Sequence, residues 1–131
     1  KDAIGSHKAP ISCVSMPVMM EMGLGMLEGA CKYGRHNYRE IGVRASVYVD
    51  ACFRHIAAFW EGESIDPDSG VSHSTKALCC LAVLRDAEIQ GKLSDDRPPK
   101  SPAGWLQVNN ELAQQIIERY PNPPPAYKAA A

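Results

Sequence analysis

Residues 47–60, VYVDACFRHIAAFW, and residues 72–86, SHSTKALCCLAVLRD, decide the fold. Apolar side chains recur in both at intervals of three and four, the period of an α-helix and not the alternation of a strand. Val49, Phe53, Ile56 and Trp60 form the expected apolar stripe of the first, and Ala77, Leu81, Leu84 and Ala87 that of the second. Ser46 is a good N-cap for the first helix, which should end at Gly62. Ser72 can cap the second, running from about His73 to Gln90 before Gly91. The connecting loop, GESIDPDSGVS (62–72), is rich in turn residues. These helices also carry Asp50, Arg54, His55, His73 and Lys76, and the loop adds Glu63, Asp66 and Asp68 after Glu61. Carboxylates, imidazoles and cations at this density suggest a metal-assisted phosphate site.

Working outward, Ser15 and Pro17 mark the start of a methionine-rich helix that stops at Gly34. Met19, Met22, Met26 and Ala30 could form its buried stripe, while Gly23, Gly25 and Gly29 weaken it and call for tertiary packing by close backbone approach. Residues 34–45, GRHNYREIGVRA, form a basic loop. Periodicity breaks in LSDDRPPKSPAG (93–104) and returns with Trp105, Val108, Leu112 and Ile116. The expected organisation is a flexible arm over 1–15, a helical core over 16–92 and a linker over 93–104. A helix over 105–120 then closes the bundle or exchanges with a partner, ahead of a flexible tail over 121–131. Nothing reads as a strand. The fold class is all-α, a compact bundle of about four main helices.

A length of 131 residues suits one domain with a real core. A net charge of −1 leaves no electrostatic footprint for nucleic acid, and an aromatic content of 7% gives no stacking platform for single strands. No apolar run is long enough for a bilayer, and KDAIGSHKAPISCVSM (1–16) lacks the uninterrupted apolar region of a signal peptide. Five cysteines without a CxxC spacing point to buried, reduced thiols and a cytoplasmic protein. Cys79 and Cys80 are expected to fill space in their helix.

Each candidate residue has a plain alternative. Glu63 and Asp66 have the ExxD spacing of hard oxygen ligands for Mg2+ or Mn2+, presented by a turn because Pro67 follows; the alternative is a solvated loop facing a helix N-terminus. Asp50 and Arg54 are either part of the site or an i,i+4 surface ion pair. His55 beside the apolar stripe reads as a satisfied core histidine. His73 opens its helix beside the acidic loop, and Lys76 follows one turn on, where a cation could neutralise phosphate. Lys32, Arg35, Arg39 and Arg44, with Tyr33, Asn37 and Tyr38, could bind phosphate, sugar or base, or form a solvated basic loop.

EGACKYGRHNY (28–38), RASVYVDACFRHI (44–56), WEGESIDPDSG (60–70) and SHSTKA (72–77), in this order, resemble the viral dATP/dGTP diphosphohydrolases, MazZ-type relatives of the MazG nucleotide pyrophosphohydrolases. The resemblance covers roughly residues 10–99. It implies a MazG-like all-α fold in a homo-oligomer, a dimer or tetramer. It also implies divalent-metal-dependent cleavage of purine deoxynucleoside triphosphates between the α and β phosphates, giving the monophosphate and pyrophosphate. In viruses that replace adenine with 2-aminoadenine, such an enzyme removes dATP and supplies dGMP.

MazG enzymes hold metal through ExxE on one helix and ExxD on the next. This chain has no ExxE, and its single ExxD, Glu63 to Asp66, is expected in a loop. The family's ligands therefore do not carry over residue by residue, and the metal candidates are Glu28, Asp50, Glu63 and Asp66, with Glu21 in reserve seven residues before Glu28. Glu63, Asp66, Asp50 and His73 are the catalytic candidates. Lys32, Arg54 and Lys76 would stabilise developing charge, Arg44 would bind phosphate, and Tyr33 and Asn37 would contact base or sugar. Two other readings compete. An HD-type triphosphohydrolase needs a His-Asp dipeptide, which is absent; a small non-enzymatic helical interaction module would use the polar residues for solubility and helix pairing.

Overall fold

A computed structural model describes residues 2–130; Lys1 and Ala131, the outer ends of the expected arm and tail, lie outside the described residues. The chain divides between Arg97 and Pro98 into two units. In the first, a short helix α1 (Asp2–Gly5) and a 3-10 turn (Ile11–Cys13) precede α2 (Met16–Tyr33) and α3 (Asn37–Ile41). Then come β1 (Val43–Arg44), α4 (Ala45–Trp60), α5 (His73–Gln90) and β2 (Leu93–Ser94). The second unit carries α6 (Trp105–Arg119), whose apolar residues Trp105, Val108, Leu112 and Ile116 are exposed.

The all-α reading holds, and several boundaries follow from local chemistry. α2 starts after Ser15 with proline in its first turn and stops at Gly34. The Ser72 side chain accepts from Thr75 N–H at the start of α5, and Gly91, at φ 67°, ends it in the left-handed conformation. The N-terminal arm holds α1 and the 3-10 turn, with every described residue exposed.

α4 and α5 make the principal contact and run antiparallel, since His55 meets His73 while Cys52, one turn earlier, donates to Ala77 O. α5 is the central helix. Its His73, Thr75, Ala77, Cys79, Cys80, Val83 and Ala87 are all buried, and α2 and α3 also pack against it. Cys79 and Cys80 therefore fill space as expected, although Cys13 and Cys31 are exposed.

The expected stripe of α4 is not its buried face. Phe53 is 64% and Trp60 83% exposed, with Val49 and Ile56 also open, and the inward residues are Ala45, Tyr48, Cys52 and His55. The reason is size. Ala45 and Cys52 on α4, with Ala77 and Cys80 on α5, let the two helices approach closely, so the bulky side chains are left about one residue's rotation (~100°) away. On α5, likewise, Ala77 and Ala87 are buried but Leu81 is exposed.

The first part of the expected linker belongs to the first unit. Leu93–Ser94 pairs in parallel with Val43–Arg44. The Asp96 carboxylate then caps α4, accepting from Ser46 N–H at 2.8 Å and from the Ser46 hydroxyl. Ser46 thus sits inside the helix, with Arg44 at the cap position. Arg39 reaches Asp86 with two hydrogen bonds, Nε at 3.2 Å and Nη2 at 2.9 Å, tying α3 to α5.

One glycine explains how α2 comes close to α5. Gly25 is buried, and a Cβ there would lie 2.7 Å from Cys79 Sγ, whereas a Cβ at Gly23 would meet nothing. Gly25→Ala is therefore expected to destabilise the fold by about 1–3 kcal/mol. Gly23→Ala should stabilise it by about 0.5–1 kcal/mol, through helix propensity alone. Urea unfolding of the two variants checks the opposite signs.

Candidate functional site

A cavity of about 410 Å³ opens among α2, the basic loop, α3, α4 and α5. Gly25, Cys79, Cys80 and Val83 give it an apolar floor. Tyr33, Asn37 and Tyr48 stand along its walls, and Glu28, Lys32 and Lys76 bring charge to it. The lysines come from different helices and converge on one carboxylate. Lys76 Nζ donates to Glu28 Oε2 at 2.6 Å, and Lys32 Nζ lies 2.5 Å from Oε1. Glu28 Oε1 is nonetheless shielded from solvent with no partner in hydrogen-bonding alignment. Lys32 and then Lys76 hold the Glu28 carboxyl below its ordinary pKa against the opposing effect of burial. Lys32 also reaches Asp68 Oδ2 at 3.4 Å, and Glu28 with Asp68 raises the Lys32 pKa. One residue before the lysine on α5, Thr75 donates to Glu21 Oε1 at 2.9 Å.

The loop between α4 and α5 forms a second cluster. His73, 5% exposed, shares a hydrogen bond of 2.7 Å between its Nε2 and Glu63 Oε1. Its Nδ1 lies 2.8 Å from Nδ1 of His55. With the proton on His73 Nε2 donated to Glu63, the neutral His73 Nδ1 accepts from His55. The chain Glu63–His73–His55 can therefore take up or pass on a proton. Asp66, 9% exposed, builds the loop instead: Oδ2 accepts from the Ser69 hydroxyl at 2.7 Å and Oδ1 from Asp68 N–H at 3.1 Å. Its backbone N–H donates to Val71 O, and the neighbouring His73 N–H donates to Ser64 O. Burial pushes the Asp66 carboxyl up, but these hydrogen bonds and the nearby imidazoles outweigh it, leaving its pKa lowered.

The structure thus gathers Glu28, Lys32, Tyr33, Asn37 and Lys76 at the cavity, and Glu63 with His73 at the loop. It does not bring the others to either place in the expected way. Asp50 and Arg54 are exposed on α4, Arg44 is exposed in β1, and the alternative Asp50–Arg54 ion pair is not among those formed by the described residues. Among the described residues, no three His, Cys, Asp or Glu side chains make a ready metal cage. The donors are hard oxygens all the same, and Mg2+ is commonly held by one or two carboxylates with phosphate and water completing its shell. Glu28 is the one carboxylate at the cavity, and both its oxygens lie against lysine ammonium groups, so it could take that role only if the lysines turned away.

Sequence reasoning passed over Tyr48 and the partnership of His55. Both were legible as one helix face, since Tyr48, Cys52 and His55 are spaced by four and three. His36, also at the cavity, takes the left-handed backbone conformation at φ 68°.

Residues 1–97 match the family model described as dATP/dGTP diphosphohydrolase, N-terminal. The chain belongs to this family. The match covers the whole first unit and ends with it at Arg97. No curated protein and no solved structure gives a significant match. Membership decides between enzyme and interaction module: the protein is a nucleotide diphosphohydrolase acting on purine deoxynucleoside triphosphates. As in the sequence reading, no helix among the described residues is long and apolar enough to cross a membrane.

His55 sets a pH dependence. Burial lowers the His55 pKa below its ordinary 6.5; the nearby Asp66 opposes this, and His73, Lys76 and Arg54 add to it. The unfolded chain then binds more protons than the folded one below that value, so this contribution to stability is complete above pH 6.5 and falls as the pH drops. Thermal unfolding between pH 7.5 and 5 should show a loss of Tm that His55→Asn reduces. An unchanged profile in the variant would contradict the assignment.

Proposed function

We propose that the cavity between α2 and α5 holds the purine deoxynucleoside triphosphate, and that cleavage between the α and β phosphates depends on Mg2+ or Mn2+. The supporting observation is the convergence of Lys32 and Lys76 on Glu28 beside a floor of small and apolar side chains. Lysine charge suits phosphate, while Tyr33, Tyr48 and Asn37 offer flat faces and an amide for base and sugar. Glu28 would hold the divalent ion, with Glu21 next along the same helix face. When bound with the nucleotide, such an ion neutralises phosphate charge and lowers the pKa of a coordinated water.

In this reading Lys32 and Lys76 stabilise the charge that develops on the phosphates. Water oxygen bonds to the α phosphorus, the bond to the bridging oxygen breaks, and pyrophosphate leaves with the deoxynucleoside monophosphate. His73, oriented by Glu63 and backed by His55, is the proposed acid–base group. Asp66 serves by shaping the loop that presents Glu63. Paired dATP and dGTP activity would suit a viral 2-aminoadenine pathway, removing the first and drawing dGMP from the second.

Chromatography of products from dGTP or dATP, with Mn2+ and with a chelator, tests this reading. Monophosphate and pyrophosphate are expected with metal only; orthophosphate or tripolyphosphate would contradict it. Lys32→Met and Lys76→Met should each lower kcat/KM by about ten- to a hundredfold, the worth of a charged hydrogen bond.

The open stripe Val49, Phe53, Ile56 and Trp60 supports a homo-oligomer in which a second copy covers α4. Its four–three–four spacing is that of a helix-packing seam. The double variant Phe53→Glu, Ile56→Glu should sediment as a smaller species than the parent. Equal mass would place the interface elsewhere.

A further inference from the structure

The two lysines at the cavity bring no surplus of positive charge. Glu28 lies against both, and Lys32 also reaches Asp68, so two ammonium groups face two carboxylates. An ammonium has three donors, so each lysine can keep Glu28 and still donate to a phosphate oxygen. A triphosphate, with its several negative charges, calls for positive charge beyond that balanced group. Two further basic side chains line the cavity, Arg35 and His36. Arg39, close by in α3, is engaged by Asp86 through two hydrogen bonds. Arg35 has no ion-pair partner among the described residues.

The backbone that carries these two side chains is strained. Arg35 and His36 form the turn between α2 and α3, closed by Asn37 N–H donating to Gly34 O at 3.3 Å. His36 stands at φ 68° and ψ 18°, the one non-glycine residue with positive φ among those described. Six other described positions with positive φ carry glycine, which takes that conformation without steric cost. Strained residues of this kind gather at functional sites, where the side chain is worth the local cost. What glycine would lack at position 36 is an imidazole, and that residue lines the cavity.

We propose, resting on the placement of the nucleotide in this cavity, that Arg35 with His36 binds the β and γ phosphates and so selects a triphosphate over a monophosphate. His73, the acid–base group of that reading, precedes Lys76 by one turn of α5, which gives the reacting α phosphate its place beside Lys76. The two phosphates that leave as pyrophosphate fall to the cation that no carboxylate holds. A planar guanidinium donates two parallel hydrogen bonds to phosphate oxygens, and the imidazole adds a donor. The same fork aimed at a base would read guanine through O6 and N7 and discriminate against adenine. A family described by both dATP and dGTP does not fit that use.

Calorimetric titration of the full chain in MgCl2 tests this, with α,β-methylene-dGTP, dGMP and inorganic pyrophosphate as probes. The parent should bind the analogue more tightly than dGMP by about tenfold or more. Arg35→Gln should weaken the analogue and pyrophosphate by about ten- to a hundredfold and leave dGMP unchanged. Arg35→Lys, which keeps the charge but not the fork, should fall between. His36→Gly should raise the urea midpoint of unfolding yet weaken pyrophosphate, whereas a purely structural role would move the midpoint alone. In Arg35→Gln, kcat/KM for dATP and for dGTP should fall by one common factor.

The assignment is overturned if Arg35→Gln weakens dGMP as much as the analogue, if it shifts the ratio of dATP to dGTP activity, or if either Arg35→Gln or His36→Gly binds pyrophosphate as the parent does. A parent that binds the analogue no more tightly than dGMP overturns it too. The cavity assignment survives those results provided Lys76→Met weakens the analogue. If neither Lys32→Met nor Lys76→Met changes analogue binding, the cavity assignment itself fails, and the role of Arg35 with it.

Discussion

Everything in the first unit hangs on the close approach of three helices to α5. That helix buries Ala77, Cys79, Cys80, Val83 and Ala87, none of them large, and receives Ala45 and Cys52 from α4 and Gly25 from α2. Among the described residues no large side chain is fully buried, so stability comes from tight contact between small groups. Such contact tolerates little added volume, which makes Gly25 and Cys79 a matched pair. It also fixes where charged residues at the edge of α5 can go.

Close packing places the N-terminal turns of α5 where polar groups from three directions meet. His73 finds Glu63 and His55, Thr75 finds Glu21, and Lys76 finds Glu28. These successive partners surround one end of a single helix, and the cavity opens from there along Cys79, Cys80 and Val83. The mechanism proposed above uses cations for phosphate, a carboxylate for a hard ion and a group that moves protons. All three are present within two turns of α5 and its neighbours. The proton-moving chain and the cation pair are linked through Lys32, which reaches Asp68 in the loop that carries Glu63.

How much of this was legible depends on the range of the interaction. Ser72 and Gly91 bound α5, and Ser15, Pro17 and Gly34 bound α2, because capping and left-handed turns are decided within a few residues. The inward face of α4 was misread because hydrophobicity marks Phe53 and Trp60, while the partner's small side chains select Ala45 and Cys52. Ser46 looked like a cap and is itself capped by Asp96, from a segment that reads as linker. At the site, Lys32, Tyr33, Asn37 and Lys76 were singled out by residue type and meet at one cavity. Glu28 came only through the family resemblance, and nothing local could show that it draws both lysines to itself. Asp50 and Arg54 stood out by their charge in an apolar helix, yet they occupy its exposed side.

The account's central claim is that the nucleotide occupies the α2–α5 cavity. Photolabelling with 8-azido-dATP, followed by peptide mapping, tests it most directly. The account predicts label on the peptides carrying Tyr33 to Tyr38 or Tyr48, lost when dGTP competes. Competable label confined to residues 50–66, the outer part of α4 and the acidic loop, would contradict it.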